Sequence, residues 1–320
     1  MKPILLSFLF LFIPKMIFSQ VSTSKELILS PEDNFTYLDS TSSETKSKDY
    51  VYIRVVKDAK LKKENYVVQE YYRSGQLRME AISKTYTGFS KEGEATYYYK
   101  NGTKKSVTNY IKGRANGNNL EWHENGNKKL ISEYIEDEEK NTTQLKINQF
   151  WDKNGLQKVT DGNGFFENAE ENGFEKGEIK NGSKEGVWEG SFKKLKFSYT
   201  ETYKNGNFIS GTITDENGVK SDYKVLEKKP EPKNGIKEFY QYIGKNFQTP
   251  QVQGLKGKIY VTFIVDKDGS LTDFRIARDI GYGTGAEAIR VLSHADNWIP
   301  GEQRGRKVRV KYSLPITIQN

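Results

Sequence analysis

Apolar and polar residues alternate along GKIYVTFIVDKDGSLTDFRIARDIG, residues 257 to 281. One face of the first half carries four apolar residues: Ile259, Val261, Phe263 and Val265. After the DKDG turn, Phe274 and Ile276 continue that face on a second strand. The pattern predicts a β-hairpin whose apolar face needs a cover from other elements.

Two helices and a third strand are predicted around this hairpin. NGIKEFYQYIGKNF places five residues on one helical stripe: Ile236, Phe239, Tyr240, Ile243 and Phe247. Thr284 and Glu287 predict a capping box for the second helix, whose apolar stripe follows as Ala288, Val291, Leu292 and Ala295. The third strand alternates between Val308, Val310, Tyr312, Leu314 and Ile316 on one face and Lys307, Arg309, Lys311 and Ser313 on the other. The predicted order is helix, strand, strand, helix, strand.

A second pattern repeats through the middle of the chain, where aromatic residues precede a turn and basic residues follow it. Examples are EYYRSGQLRME, YYYKNGTKKSV and LEWHENGNKKLI, and the turn glycines are Gly75, Gly102, Gly126 and Gly155. They recur at intervals of about 25 residues, which is typical of a repeat array. Asn-Gly favours a tight hairpin turn because both residues tolerate positive φ. We therefore predict hairpins over residues 50–225 that cover one another's aromatic faces.

The N-terminal segment MKPILLSFLFLFIPKMIFSQ has a basic start, an apolar core and Ser19 before Gln20, which predicts a secretory signal peptide over residues 1–19. The alternative is an uncleaved membrane anchor, which is less favoured because Pro14 and Lys15 interrupt the apolar run early. Residues 20–49 are polar and lack periodicity, so we expect a flexible lead-in. The charged segment 226–233, with two prolines, predicts a linker before a C-terminal domain over 234–320.

Composition narrows the classes of partner. The chain has 320 residues, no cysteine, a mean hydropathy of −0.77 and a net charge of +8, and the basic excess lies in the C-terminal part. The absence of cysteine excludes disulfides and attachment of a lipid to an N-terminal cysteine. In an exported protein the positive charge favours acidic protein, lipid headgroups or cell wall as partners, and we expect no nucleic acid.

The C-terminal residues resemble the C-terminal domain of TonB energy-transducing proteins. The resemblance covers roughly residues 234–319 and rests on Gly257 with the alternating strand, Asp268-Gly269, Glu287-Ala288, and Trp298-x-Pro300-Gly301 followed by Gly305. The Asn-Gly units before it resemble bacterial variants of the MORN repeat. The expected fold is therefore mainly β, with a MORN-like β-hairpin array followed by an α+β TonB-C-like domain.

The TonB resemblance implies that the first strand is central, that the other two are edges, and that the helices pack on one face. It also implies that the third strand binds the TonB box, a short peptide of an outer-membrane transporter, by strand addition. The residues implied are Arg306, Lys307, Val308, Arg309, Val310, Lys311, Tyr312, Ser313 and Leu314. Pro315 ends the strand because it cannot donate a hydrogen bond. Lys307, Arg309 and Lys311 either select an acidic peptide or protect the edge from aggregation. Replacing Val310 with proline is expected to abolish peptide binding.

No catalytic constellation accompanies these features. DKDGS resembles the start of a calcium loop, but Ala277 stands where the bidentate Glu is required. We expect no metal, no small-molecule cofactor and no enzymatic activity.

The expected function is an exported, periplasmic or envelope protein that binds an outer-membrane TonB-dependent transporter or another envelope protein, linked to transmembrane transport. The predicted signal peptide leaves no anchor for force transduction itself. The alternative is a cell-wall-binding or hydrolytic protein that uses the repeat sheet.

Overall fold

A computed structural model describes residues 30–137 and 142–319. The chain divides into two compact units. Of the described residues, the first contains those up to Gly117 together with Glu121–Gly126, and the second contains Asn118–Leu120 and those from Asn127 onward. The signal peptide predicted at residues 1–19 lies outside the described residues. Within the described residues, no helix combines the length and the apolar run that a membrane crossing requires.

The first unit contains six strands that pair antiparallel in chain order. They are β1 Asn34–Leu38, β2 Tyr52–Val56, β3 Tyr66–Tyr72, β4 Leu77–Ser83, β5 Lys91–Tyr98 and β6 Lys104–Ile111. Their core contains Val56, Tyr66, Val68, Met79, Ala81 and Ala95. Strand β1 lies inside the segment expected to be a flexible lead-in. Its pairing with β2 leaves Leu38 fully buried, a long-range contact that a polar local sequence does not reveal.

Strand β7, Arg114–Trp122, contributes residues to both units. The second unit continues with strands that again pair antiparallel in chain order. They are β8 Lys128–Asp137, β9 Thr142–Trp151, β10 Gln157–Thr160, β11 Asn163–Glu170, β12 Gly173–Lys180, β13 Ser183–Phe192, β14 Phe197–Lys204, β15 Asn207–Asp215 and β16 Lys220–Tyr223. The predicted mainly β architecture is confirmed.

The repeat turns that contain Gly75, Gly102, Gly126 and Gly155 share one backbone conformation. At the turn after β5, Tyr99 N–H donates to Thr103 O at 2.8 Å, and Gly102 has a φ of +83° while Asn101 has no positive φ. The loop therefore has three residues with glycine at the bulge position, which accounts for the register shift in the β5–β6 ladder. The same single left-handed glycine is found at Gly75, Gly126 and Gly155. At Asn205-Gly206 both turn residues have positive φ.

Aromatic rings lie over glycines of neighbouring strands where the sequence repeat becomes irregular. Gly177 pairs with Trp188 across β12 and β13, and a Cβ built on this glycine would lie 2.4 Å from the indole ring. The two further pairs are Gly190 with Tyr199 and Gly211 with Tyr223. Each glycine gives a ring room to lie flat on the sheet, so aromatic packing continues after the turn spacing is lost.

The chain after β16 folds into an α+β domain. Two short strands, β17 Glu227–Lys228 and β18 Glu231–Pro232, precede α1 Gly235–Asn246, β19 Lys256–Val265, β20 Leu271–Arg278 and α2 Thr284–Ser293. Then follow β21 Trp298–Ile299, β22 Gly301–Gln303, β23 Arg306–Val308 and β24 Val310–Gln319. The main sheet has the order β20-β19-β24, with the first strand central as expected.

The structure of this domain contradicts two local predictions, one for the linker and one for the helix cap. The segment expected to be a linker forms β17, which pairs with β22, and β18, which pairs with β21. Strands of two residues have no periodicity that a sequence could display. The capping box at Thr284 and Glu287 was also wrong, because Gly283 is the N-cap and makes no side-chain cap. Thr284 instead donates to Asp279 at 2.7 Å, and Glu287 accepts from Gln248 N at 2.8 Å.

Candidate peptide-binding edge

Strand β24 forms an edge of the main sheet. Its ten residues pair with β19 from Val310 opposite Val265 to Gln319 opposite Lys256 without a register shift. Among residues 30–137 and 142–319, no second strand pairs with it. The side chains of Leu314, Ile316 and Ile318 are buried. One face of β24 is therefore fixed in the core while its outer backbone edge lacks a strand partner.

The turn between β19 and β20 determines which backbone groups of β24 face outward. Asp266 N–H donates to Ser270 O at 2.9 Å, so the backbone groups of Asp266 face β20. Backbone groups alternate along an antiparallel strand, so those of Val265 face β24 and bond its partner Val310. By the same alternation Tyr312 and Leu314 face β19. The N–H and C=O groups of Lys311 and Ser313 consequently point away from the sheet.

The predicted strand from Arg306 to Leu314 is in fact two strands separated by Arg309. Residues 306–308 form β23, which pairs with β22 across the Arg304-Gly305 turn, where both residues have positive φ. In a two-residue hairpin the residues that flank the turn bond to each other, so Arg306 and Val308 face β22 and Lys307 faces away. Five of the nine predicted residues thus use their backbone groups for pairing within the domain: Arg306 and Val308 with β22, and Val310, Tyr312 and Leu314 with β19.

The prediction that Pro315 ends the strand was wrong, because β24 continues through it to Gln319 on β19. Pro315 and Tyr240 end only the free outer edge. Pro315 is the next outward position after Ser313, and it has no N–H to offer. Its carbonyl accepts a hydrogen bond from the Tyr240 hydroxyl of α1 at 3.1 Å. A cavity of about 390 Å³ lies beside this point, between α1 and the end of β24, with Phe247, Ile316 and Ile318 in its lining. The available edge therefore stops at Ser313.

The three basic side chains along this edge have different surroundings. Arg309 Nε lies 2.6 Å from an Asp266 oxygen, and its Nη2 lies 3.3 Å from an Asp273 oxygen, so two carboxylates neutralise its charge. Hydrogen bonds from Ser270 lower the pKa of Asp268, and the charge of Lys307 lowers it further. Lys311 is exposed, and the described residues give it no ion pair. The basic character available to a partner belongs to Lys311 and, in part, to Lys307.

The sequence of this domain matches a known protein family. Residues 250–317 match a family model described as Gram-negative bacterial TonB protein C-terminal. This part of the chain is a TonB-like C-terminal module. The match covers the hairpin, α2, the candidate edge and the Trp298 motif, and it confirms the resemblance predicted for the C-terminus. It does not extend to strands β1–β16, where the MORN resemblance stays a prediction. A search of curated proteins and a search of solved structures found no match.

An aromatic cluster in the core of the TonB-like module packs against the buried face of strand β24. The Trp298 side chain is buried, and its ring centroid lies 4.8 Å from that of Tyr312, 5.0 Å from Phe239 and 5.5 Å from Phe263. These contacts connect α1, β19, β21 and β24. Because Tyr312 packs inward, the side chains of its neighbours Lys311 and Ser313 lie on the exposed face of the sheet.

A buried carboxylate connects the TonB-like module to the repeat strands. The Glu201 side chain on β14 is fully buried, and it accepts hydrogen bonds from Tyr203 at 2.8 Å, Tyr223 at 2.6 Å and Arg304 Nε at 2.7 Å. Burial raises the pKa of both tyrosines, and the Glu201 charge raises it further, so both hydroxyls stay protonated and donate. Arg304 belongs to the β22–β23 turn. Sequence reasoning missed this cluster because its members lie far apart in the chain.

Further contacts extend this connection. The guanidinium of Arg304 lies 4.3 Å from the centroid of the Tyr199 ring, and that of Arg306 lies 4.6 Å from the Phe197 ring. Arg304 N–H also donates to Leu226 O at 2.8 Å. The hairpin that leads into the candidate edge is therefore fixed on strand β14 and on the chain after β16, not joined by a free linker.

Proposed function

We propose that the TonB-like module binds an extended peptide by strand addition to β24, and that the peptide belongs to an outer-membrane TonB-dependent transporter. The observation that carries the proposal is the outward row of backbone groups at Lys311 and Ser313, on a strand whose other side is fully paired. A visiting strand would bond these groups and gain affinity from its main chain. The family match at residues 250–317 supports this role.

The geometry of the edge also limits the length and the charge of the peptide that can pair with it. Pairing would begin near Lys307 and end at Ser313, because Pro315 has no donor and its carbonyl is used by Tyr240. Lys307 and Lys311 would face alternate side chains of the peptide on the open side of the sheet. The peptide we propose is short and carries acidic residues at alternate positions.

The cellular setting is part of the proposal. The signal peptide predicted at residues 1–19 would bring the protein to the periplasm or cell envelope, where such transporters offer their peptides. The hairpin strands would act as a scaffold that holds the domain through Glu201 and Arg304. The role we propose is binding and not catalysis.

We expect Ser313→Pro to weaken the binding of TonB-box peptides by about tenfold or more, because one outward N–H is lost and the ring occupies the place of the visiting strand. Ser313→Ala keeps the N–H and should bind as the unaltered protein does. Fluorescence anisotropy with labelled ten-residue peptides from transporter N-termini would measure both. Circular dichroism should show both variants folded, since the backbone of residue 313 does not bond β19.

Proline at Ser313 is a cleaner test than proline at Val310, the position that the sequence alone suggested. The backbone of Val310 faces Val265 on β19, so proline there would break the internal ladder, and a loss of binding could arise from unfolding. If Ser313→Pro binds every peptide as tightly as Ser313→Ala does, strand addition at this edge is wrong.

Charge reversal tests the chemistry of the peptide. We expect the double variant Lys307→Glu and Lys311→Glu to bind acidic peptides about tenfold more weakly at low salt, because attraction becomes repulsion at two positions. The difference should shrink as the salt concentration rises. The control is Lys258→Glu on β19. Equal losses in the control and the double variant would assign the effect to overall charge and not to the edge.

A further inference from the structure

An open groove in the first unit has no role in the function proposed above. Its volume is about 580 Å³, within the roughly 300–1,000 Å³ of small-molecule sites. It lies where β2 begins and β3 ends. Six side chains define it: Tyr50, Tyr52, Tyr72, Arg73, Ser74 and Lys100.

Three half-buried tyrosine rings form the wall of this groove. Tyr52 and Tyr72 are direct partners across β2 and β3, with ring centroids 5.8 Å apart. The Tyr72 hydroxyl donates to Tyr98 O at 2.9 Å, which fixes that ring. Tyr50 packs against Tyr37 at a centroid distance of 4.4 Å. The wall is therefore pre-formed. The Arg78 guanidinium lies 3.9 Å from the centroid of the Tyr52 ring, and the remaining ring surface and the hydroxyl groups line the groove.

The rim of the groove is positively charged. The Arg73 guanidinium lies 4.9 Å from the centroid of the Tyr50 ring, and Lys100 Nζ lies 5.8 Å from that of Tyr72. Neither cation has a carboxylate partner among residues 30–137 and 142–319, and both are exposed. Among the residues that the structure describes, Asp49 is the one acidic residue in the lining of the groove. Two cations against one carboxylate favour an anionic ligand.

The backbone around the groove is already paired. Val51 N–H donates to Leu38 O at 2.8 Å, and Val51 O accepts from Arg73 N–H at 3.0 Å. Both main-chain groups of Val51 are therefore used within the sheet, whereas those of Lys311 and Ser313 on β24 point outward. Sugar rings need no free main-chain groups, because their C–H faces pack on aromatic rings and their hydroxyls bond side chains.

We propose that this groove binds an oligosaccharide that carries carboxylate groups. The tyrosine rings would pack against sugar faces, Ser74 and the tyrosine hydroxyls would bond sugar hydroxyls, and Arg73 and Lys100 would bind a carboxylate. The site lies in the first unit and uses none of the residues of the β24 edge. Its failure would leave the peptide proposal intact, and the converse also holds.

The test is isothermal titration of the full-length protein with three probes: tetragalacturonate, a guluronate tetramer and a hyaluronate tetrasaccharide. We expect at least one to bind, and its methyl ester, which lacks the charge, to bind about tenfold more weakly or not at all. The variant Arg73→Gln with Lys100→Gln should weaken binding of the acid by about tenfold and leave the ester unaffected. Tyr50→Ala should weaken both.

The matched control is Lys204→Gln, which removes an exposed cation from the position before another Asn-Gly turn, outside the groove. It should bind the probes as the unaltered protein does. Circular dichroism would establish that each variant is folded. The proposal is overturned if none of the three probes binds, if the ester binds as tightly as the acid, if the double variant equals the control, or if an oligoglutamate of equal charge binds as tightly as the best sugar.

Discussion

Replacing Glu201 with alanine should lower the free energy of unfolding of the second unit by roughly 3–5 kcal/mol. The side chain is fully buried and accepts hydrogen bonds from Tyr203, Tyr223 and Arg304. Its removal leaves the largely buried Arg304 charge without its partner and two buried hydroxyls without acceptors. Urea unfolding followed by tryptophan fluorescence measures the change, since Trp188 and Trp298 both lie in this unit.

The control for Glu201→Ala is Glu189→Ala on β13. Glu189 is half-exposed and pairs with Lys176 at 3.0 Å, so its loss should cost below about 1 kcal/mol. The double variant Glu201→Leu with Arg304→Met should recover part of the stability, because an apolar pair leaves no buried charge while the hydroxyls of Tyr203 and Tyr223 still lack their acceptor. Equal effects of the two alanine variants would show that the Glu201 cluster does not hold the domain on the repeat strands.

Replacing Trp298 with alanine should cost the TonB-like module about 3–5 kcal/mol of stability. The variant opens a cavity among Phe239, Phe263 and Tyr312, whose rings all contact the indole. Urea unfolding measures it, with circular dichroism as the signal because the variant loses a fluorophore. We also expect weaker peptide binding, since Tyr312 loses the packing that orients β24.

The variant Trp298→Phe separates the contribution of aromatic packing from that of the indole N–H. The indole N–H of Trp298 is buried and has no hydrogen-bond partner among the described residues, so phenylalanine gives up no hydrogen bond there. The loss should be clearly smaller than for alanine, and peptide binding should persist. If phenylalanine proves as damaging as alanine, the role of Trp298 is a polar contact and not aromatic packing.

The central elements of the C-terminal domain could be predicted because their signals are local. Ile259, Val261, Phe263 and Val265 alternate in the sequence and are all buried in the sheet. The stripe on α1 was predicted less well: Phe239 and Ile243 are buried, whereas Ile236 is largely exposed and Tyr240 instead bonds Pro315. Periodicity identifies a face, but it does not say how far the partner surface extends.

Features that depend on distant pairing could not be predicted. Strand β1 and the two-residue strands β17 and β18 exist because of partners elsewhere in the chain. At the candidate edge, the sequence indicated a strand and its charges. It could not indicate that Arg309 is neutralised by Asp266, or that outward N–H groups belong to Lys311 and Ser313 and not to Val310 and Tyr312. That assignment depends on the hydrogen bonds of a turn more than forty residues earlier.

Amide hydrogen exchange of the full-length protein, resolved by residue along β24, tests the central claim most directly. Val310, Tyr312 and Leu314 should exchange slowly because their N–H groups bond β19, while Lys311 and Ser313 should exchange quickly in the free protein. Addition of a binding TonB-box peptide should slow Lys311 and Ser313 in particular. Slow exchange at both residues without peptide, or fast exchange that a bound peptide leaves unchanged, would contradict strand addition at this edge.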